Sequence, residues 1–112
     1  MNEVVVQGEV SSEVARMELE SGDRLVRFTV RAPGPDERRQ ALPVVWVGPP
    51  RQEPTVEVGE LVLVTGSLQR RFFRSGRGVE SRTEIRAERV LRRPTGARRQ
   101  RLLDSVVERL VG

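Results

Sequence analysis

Apolar and polar positions alternate along most of this chain, and the period changes only near its end. Val4, Val5 and Val6 open a first strand that runs through Val10, and Ala15, Met17 and Leu19 continue an extended pattern. Glu20-Ser21-Gly22-Asp23 reads as a turn, because glycine reaches positive φ and Ser and Asp bond to nearby backbone. Val26, Phe28 and Val30 then alternate with Arg27, Thr29 and Arg31, a period of two with one face buried and one wet. Ala32 to Arg39 is a loop, broken by two prolines and a glycine. Leu42 to Val47 is a further apolar run, ended by Gly48-Pro49-Pro50.

Residues 51–58 carry Pro54, and an interior proline costs a helix about 3 kcal/mol, so no regular helix is expected there. Leu61-Val62-Leu63-Val64 is the clearest buried strand, with Thr65-Gly66-Ser67 marking a bend or bulge. Leu68 to Arg74 and Val79 to Val90 flank Ser75-Gly76-Arg77-Gly78, a hairpin turn by composition. Short strands punctuated by turns predict an all-β sandwich or barrel. After Pro94-Thr95-Gly96 the period becomes helical: Leu102, Leu103, Val106, Val107, Leu110 and Val111 recur at spacings of one, three and four. Thr95 or a position nearer Ala97 starts this helix. The expected organisation is a β domain over residues 1–93 and an amphipathic helix over 94–112. The helix is expected to pack on the barrel or pair with a second subunit.

Composition narrows the chemistry. Among 112 residues there is no Cys, His, Tyr or Lys. That removes disulfides, thiolate ligands, the usual general base and the commonest metal ligand. No GKS- or GKT-type phosphate loop exists without a lysine. Neither an enzyme nor a metal or cofactor site is expected. No apolar run approaches the roughly 20 residues of a membrane span, and the N-terminus shows no basic-then-apolar leader. A cytoplasmic, nucleoid-associated protein without membrane contact is the expectation.

Charge is unevenly placed. The net charge is +4, yet residues 1–60 sum to −4 and residues 61–101, with twelve Arg and three Glu, sum to +9. An acidic first half and a strongly basic second half point to a polyanion-binding surface. The basic half centres on Gln69-Arg70-Arg71-Phe72-Phe73-Arg74 and its return strand. If Leu68 and Ile85 face the core, alternation turns Phe72 inward, at least until the strand leaves the barrel, and sets Phe73 outside with Arg71, Arg82 and Arg86. An outward ring among guanidiniums suits single-stranded nucleic acid: the ring stacks on an unpaired base and the arginines neutralise phosphates. Glu80, Glu84 and Glu88 read as cross-strand ion pairs. Trp46, closing an apolar strand, reads by itself as core, as does Phe28.

Several segments together resemble the bacterial single-stranded DNA-binding protein family. They are Met1-Asn2-Glu3-Val4-Val5-Val6-Gln7-Gly8, Arg27-Phe28-Thr29-Val30, Val44-Val45-Trp46, and above all Gly59-Glu60-Leu61-Val62-Leu63-Val64-Thr65-Gly66-Ser67-Leu68-Gln69, with Thr83-Glu84-Ile85 and Val90 downstream. The resemblance implies an oligonucleotide-binding (OB) fold, a five-stranded Greek-key barrel, and a homo-oligomer that binds single-stranded DNA in replication, recombination or repair. It implies base stacking on Trp46 and Phe73 and phosphate contacts from Arg70, Arg71 and Arg74.

The chain departs from that pattern in three places. Pro49, Pro50 and Pro54 leave little or no helix between the third strand and Gly59. Val47 separates Trp46 from Gly48, where the family usually joins aromatic to glycine. The end is an amphipathic helix rather than an acidic tip. The chain reads as a divergent short member. The primosomal replication protein N family, with the same fold and a proline like Pro43 in its strand, is the sister reading. A protein-interaction barrel with weak or no DNA binding, docking replication or repair proteins through the stripe Leu102, Val106 and Leu110, is the functional alternative.

Overall fold

Five strands close into a ring because the first reaches both edges of the sheet. A computed structural model describes all 112 residues. The strands are β1 (Val4–Val10), β2 (Ala15–Glu18), β3 (Arg24–Pro33), β4 (Arg39–Gly48), β5 (Leu61–Ser75) and β6 (Gly78–Arg92), followed by helix α1 (Gly96–Val111). The sheet order is β1-β5-β6-β4-β3-β2, and β1 also pairs with β3, which closes β1, β5, β6, β4 and β3 into a barrel. All pairings are antiparallel except β4 with β6. This is the five-stranded OB barrel. The short β2 is a sixth strand on the edge of β3, continuing β1 past a break at Ser11–Val14. Between β4 and β5 there is only a single 3-10 turn, Pro50–Gln52, as the prolines predict.

The barrel interior is mostly valine. Val10, Val26, Phe28, Val30, Val44, Trp46, Val62, Val64, Ile85 and Ala87 are buried there, capped by Val56 from the loop before β5. β-branched side chains suit this pleated, crowded interior, and each contributes about 1.5–3 kcal/mol by burial. Closure needs two glycines where strands cross closely. A Cβ at Gly8 would overlap the Arg31 carbonyl of β3, and one at Gly66 would overlap the Arg86 carbonyl of β6. Gly66 also marks a bulge: Thr65 faces Arg89 while Gly66 faces Ala87, so Glu88 is an extra residue in β6.

Leu63 and Thr65 alternate with the core valines and point the other way, yet both are buried. The helix covers that side with Leu102 and Val106. Arg99 donates to Gln7, the residue opposite Leu63, at 2.9 Å, and Arg109 lies 3.4 Å from Glu3 and 3.5 Å from Glu88. Thr95 occupies the N-cap position, but its hydroxyl makes no capping bond. Val107 and Val111 stay exposed on the outer side of the helix.

Two carboxylates tie the loops to the barrel. Glu53 accepts from Arg16 and Arg24, both at 2.6 Å, which clamps the 3-10 loop to β2 and β3; the Arg24 bond leads in holding its carboxyl below the ordinary value. Glu60 accepts from Arg92 at 2.9 Å and from Arg93 at 2.9 Å, which ties the start of β5 to the end of β6. The Arg92 bond is the main cause that lowers Glu60 to about 2.

Candidate nucleic-acid interface

β5 and β6 are each 15 residues long, far longer than the barrel needs. Neighbours hold only their inner parts: β1 reaches no further along β5 than Gly66, and β4 pairs with β6 only over Ile85–Ala87. Beyond that, residues 69–75 and 78–84 pair only with each other, as an arm that leaves the barrel. Asn2 anchors its root. The Asn2 amide donates to the Leu68 carbonyl at 2.7 Å and accepts from the Leu68 N–H at 2.9 Å, in effect one more ladder rung. At the tip a two-residue turn, Gly76-Arg77, joins the strands, with Gly78 at φ 107°.

The register sorts the arm into two faces. Leu68, Arg70, Phe72 and Arg74 share one face with Ile85, Thr83, Ser81 and Val79. Gln69, Arg71 and Phe73 share the other with Glu84, Arg82 and Glu80. Phe73 thus lies outside with Arg71 and Arg82, as alternation predicts. The guanidiniums of Arg71 and Arg82 sit 5.5 and 5.8 Å from its ring centroid. Arg86 continues this face along β6, exposed, and Arg27 lies on it too, because Arg27 and Arg86 both flank Val45. Arg31, four residues from Arg27 on the same strand face, extends the row. In the sequence Arg27 and Arg31 mark only the wet side of β3; their alternation with Val26, Phe28 and Val30 is the signal that they share one surface.

One expectation meets its stated limit, and two need correction. Phe72 has the inward parity but is 67% exposed, because the arm has already left the core behind it. The glutamates of β6 do not form cross-strand ion pairs. Glu80 faces Phe73, Glu84 is buried and accepts from Gln69 at 3.1 Å, and Glu88 pairs with Arg109 of the helix. Trp46 is 6% exposed and belongs to the core. The residue joined to Gly48 is Val47, which pairs with Leu25 on the outer face; a one-residue offset in a strand exchanges faces, so Trp46 turns inward. Gly48 packs on the indole, since a Cβ there would lie 2.7 Å from it. The exposed rim of Trp46 borders a groove of about 500 Å³ with Gln52, Ser67 and Arg86.

Electrostatically the chain is divided. The arginines in ion pairs are Arg16, Arg24, Arg38, Arg39, Arg92, Arg93 and Arg109. Arg70, Arg71, Arg74, Arg82 and Arg86, like Arg27 and Arg31, have no carboxylate within 4.0 Å. Arg70 donates only to the Ser81 hydroxyl, at 3.0 Å. The arm and the adjoining outer face therefore carry uncompensated positive charge around a partly exposed ring.

An OB barrel with a basic, ring-bearing arm defines a nucleic-acid-binding class of domain. The chain belongs to the single-strand binding protein family, whose model matches residues 1–92. In fold it is similar to the dimeric N-terminal domain of the PriB protein from Thermoanaerobacter tencongensis, with a TM-score of 0.63 at 22% identity, over 84% of this chain and 98% of that one. No curated protein matches the chain.

Proposed function

We propose that this chain binds single-stranded DNA with little sequence preference, along the outer face of β3, β4 and β6 and out onto the arm. The observation that carries the reading is the set of unpaired arginines gathered around Phe73, whereas the arginines beside Glu53 and Glu60 are neutralised by those carboxylates. A base stacking on Phe73 displaces a guanidinium from the ring and frees it for the adjacent phosphate. Arg71, Arg82, Arg86 and Arg27 take the backbone on that face. Arg70 and Arg74 lie on the opposite face of the arm and add to the field that draws the strand in. Trp46 forms the inner wall of the groove, and a base meets it only at its rim.

Stacking is indifferent to base identity, which makes replication, recombination or repair of exposed single strands the fitting setting. That setting is the nucleoid in the cytoplasm; no helix is long and apolar enough to cross a membrane. A homodimer is the assembly this reading favours, in keeping with the dimeric PriB domain of the same fold.

Titration with oligo-dT, oligo-rU and duplex DNA at two salt concentrations tests the proposal. Oligo-dT should bind more tightly than duplex. Four neutralised phosphates give a log–log salt slope of about −3, at roughly −0.7 each. Salt-independent binding, or a preference for duplex, would overturn it.

A further inference from the structure

Beyond the arm, a second basic site stands where β6 meets the helix. A cavity of about 400 Å³ there is lined by Arg89, Arg98 and Arg101, with Val90, Leu91, Leu102 and Ser105 completing its wall. None of the three arginines is in an ion pair, and no carboxylate lines the cavity. The one hydrogen bond any of their side chains makes is from Arg98 to the Arg92 carbonyl, at 3.4 Å. Glu88, the nearest acid along the strand, is engaged by Arg109 instead. Three arginines lining one open cavity with no acid beside them leave it electropositive, a field that favours an anion. Guanidinium matches phosphate in geometry, through paired N–H donors.

The bulge connects this cavity to the proposed DNA face. Arg86 and Arg89 are three residues apart, and an unbroken strand would set them on opposite faces. The extra residue Glu88 restores the parity: Arg86 faces Ser67 and Arg89 faces Thr65, two residues apart on one side of β5. Arg82, Arg86 and Arg89 thus form one row, roughly 23 Å long at about 3.3 Å per residue, that leads from Phe73 to the helix. Arg98 and Arg101 end it, and both lie outside the stretch matched by the family model.

We infer that Arg89, Arg98 and Arg101 form a phosphate-binding pocket that receives a nucleotide of the same single strand, extending the footprint from the arm to the helix. The apolar wall of Leu91 and Leu102 suits the sugar beside the phosphate. This inference rests on the proposed function, since the row delivers the strand to the pocket. A free mononucleotide carries the same phosphate chemistry and is the other source to be distinguished.

The test compares the full-length protein with the variants R98Q/R101Q and Arg89→Gln, using oligo-dT of about 5 and about 16 nucleotides, within the span of single OB folds. Thymidine monophosphate is the third ligand, read by thermal shift, and the melting temperature of each unliganded variant controls for folding. For the long oligonucleotide, the salt slope should become shallower by about 1.4 in R98Q/R101Q and by about 0.7 in Arg89→Gln. Binding of the short one, which the arm holds, should stay as in the parent. Stabilisation of the parent but not of R98Q/R101Q by thymidine monophosphate, with unchanged oligonucleotide slopes, identifies a phosphate pocket for free nucleotides and overturns the shared footprint. Unchanged slopes with no thermal shift overturn the pocket and leave the arm reading standing. Failure of the parent to bind either oligonucleotide overturns the arm reading, and the extended footprint with it.

Discussion

Arg71 and Arg82 stand directly opposite each other across β5 and β6, with the Phe73 ring within 6 Å of both guanidiniums. Like charges facing across a sheet are destabilising, and no carboxylate relieves this pair. The ring offsets part of the repulsion, about 0.5–1 kcal/mol for each exposed cation–π contact. A phosphate would relieve the rest, so the pair costs the free protein something that ligand returns.

Replacing both arginines separates binding from folding. The double variant R71Q/R82Q should melt no lower than the parent, because it loses a repulsion. Its oligo-dT salt slope should fall in magnitude by about 1.4. A marked drop in melting temperature with an unchanged slope would mean that these arginines serve the arm's structure.

The two adjacent phenylalanines should behave differently. Phe73→Ala is expected to weaken oligo-dT binding by about 1–3 kcal/mol, measured by fluorescence titration. Phe72, on the other face and largely exposed, should change unfolding free energy by less than about 0.5 kcal/mol when replaced by Ala.

Trp46 belongs to the core, and its removal should show in stability first. Trp46→Ala is expected to cost about 3–5 kcal/mol in urea unfolding. Gly48→Ala should cost about 1–3 kcal/mol by driving a methyl against the indole. In the native protein the indole should emit at the short wavelengths of a buried tryptophan.

Acid should loosen the barrel through Glu60. Its folded value, about 2, lies below the ordinary 4.5, so the folded state favours the carboxylate. The stabilisation is complete above about pH 4.5 and disappears as pH falls toward 2. Glu53, lowered by Arg24 and Arg16, contributes in the same direction. Melting temperature measured from pH 6 to pH 2, values within the ordinary range of such scans, should fall less steeply in Glu60→Gln than in the parent, from a lower starting point at neutral pH.

Much of this protein is decided by sequence alone, because alternation and turn chemistry are local. The strand over Val26–Val30, the hairpin at Gly76-Arg77, the helix after Pro94 and the outward turn of Phe73 all follow from period and punctuation. The family pattern over β1 to β6 likewise sits in residues read one after another. What the tertiary structure decided depends on how far each neighbour reaches. Phe72 has the parity of a core residue, but no strand of the barrel extends far enough to cover it. Trp46 falls on the inner face because Val47 offsets it by one residue, and the row Val26, Trp46, Ala87 crosses the interior. The carboxylates of β6 find no arginine opposite them, since register sets Gln69 and Phe73 there. The bulge at Gly66 brings Arg89 into line with Arg86. Period tells which way a side chain points along its own strand; only the packed sheet determines what lies on that side.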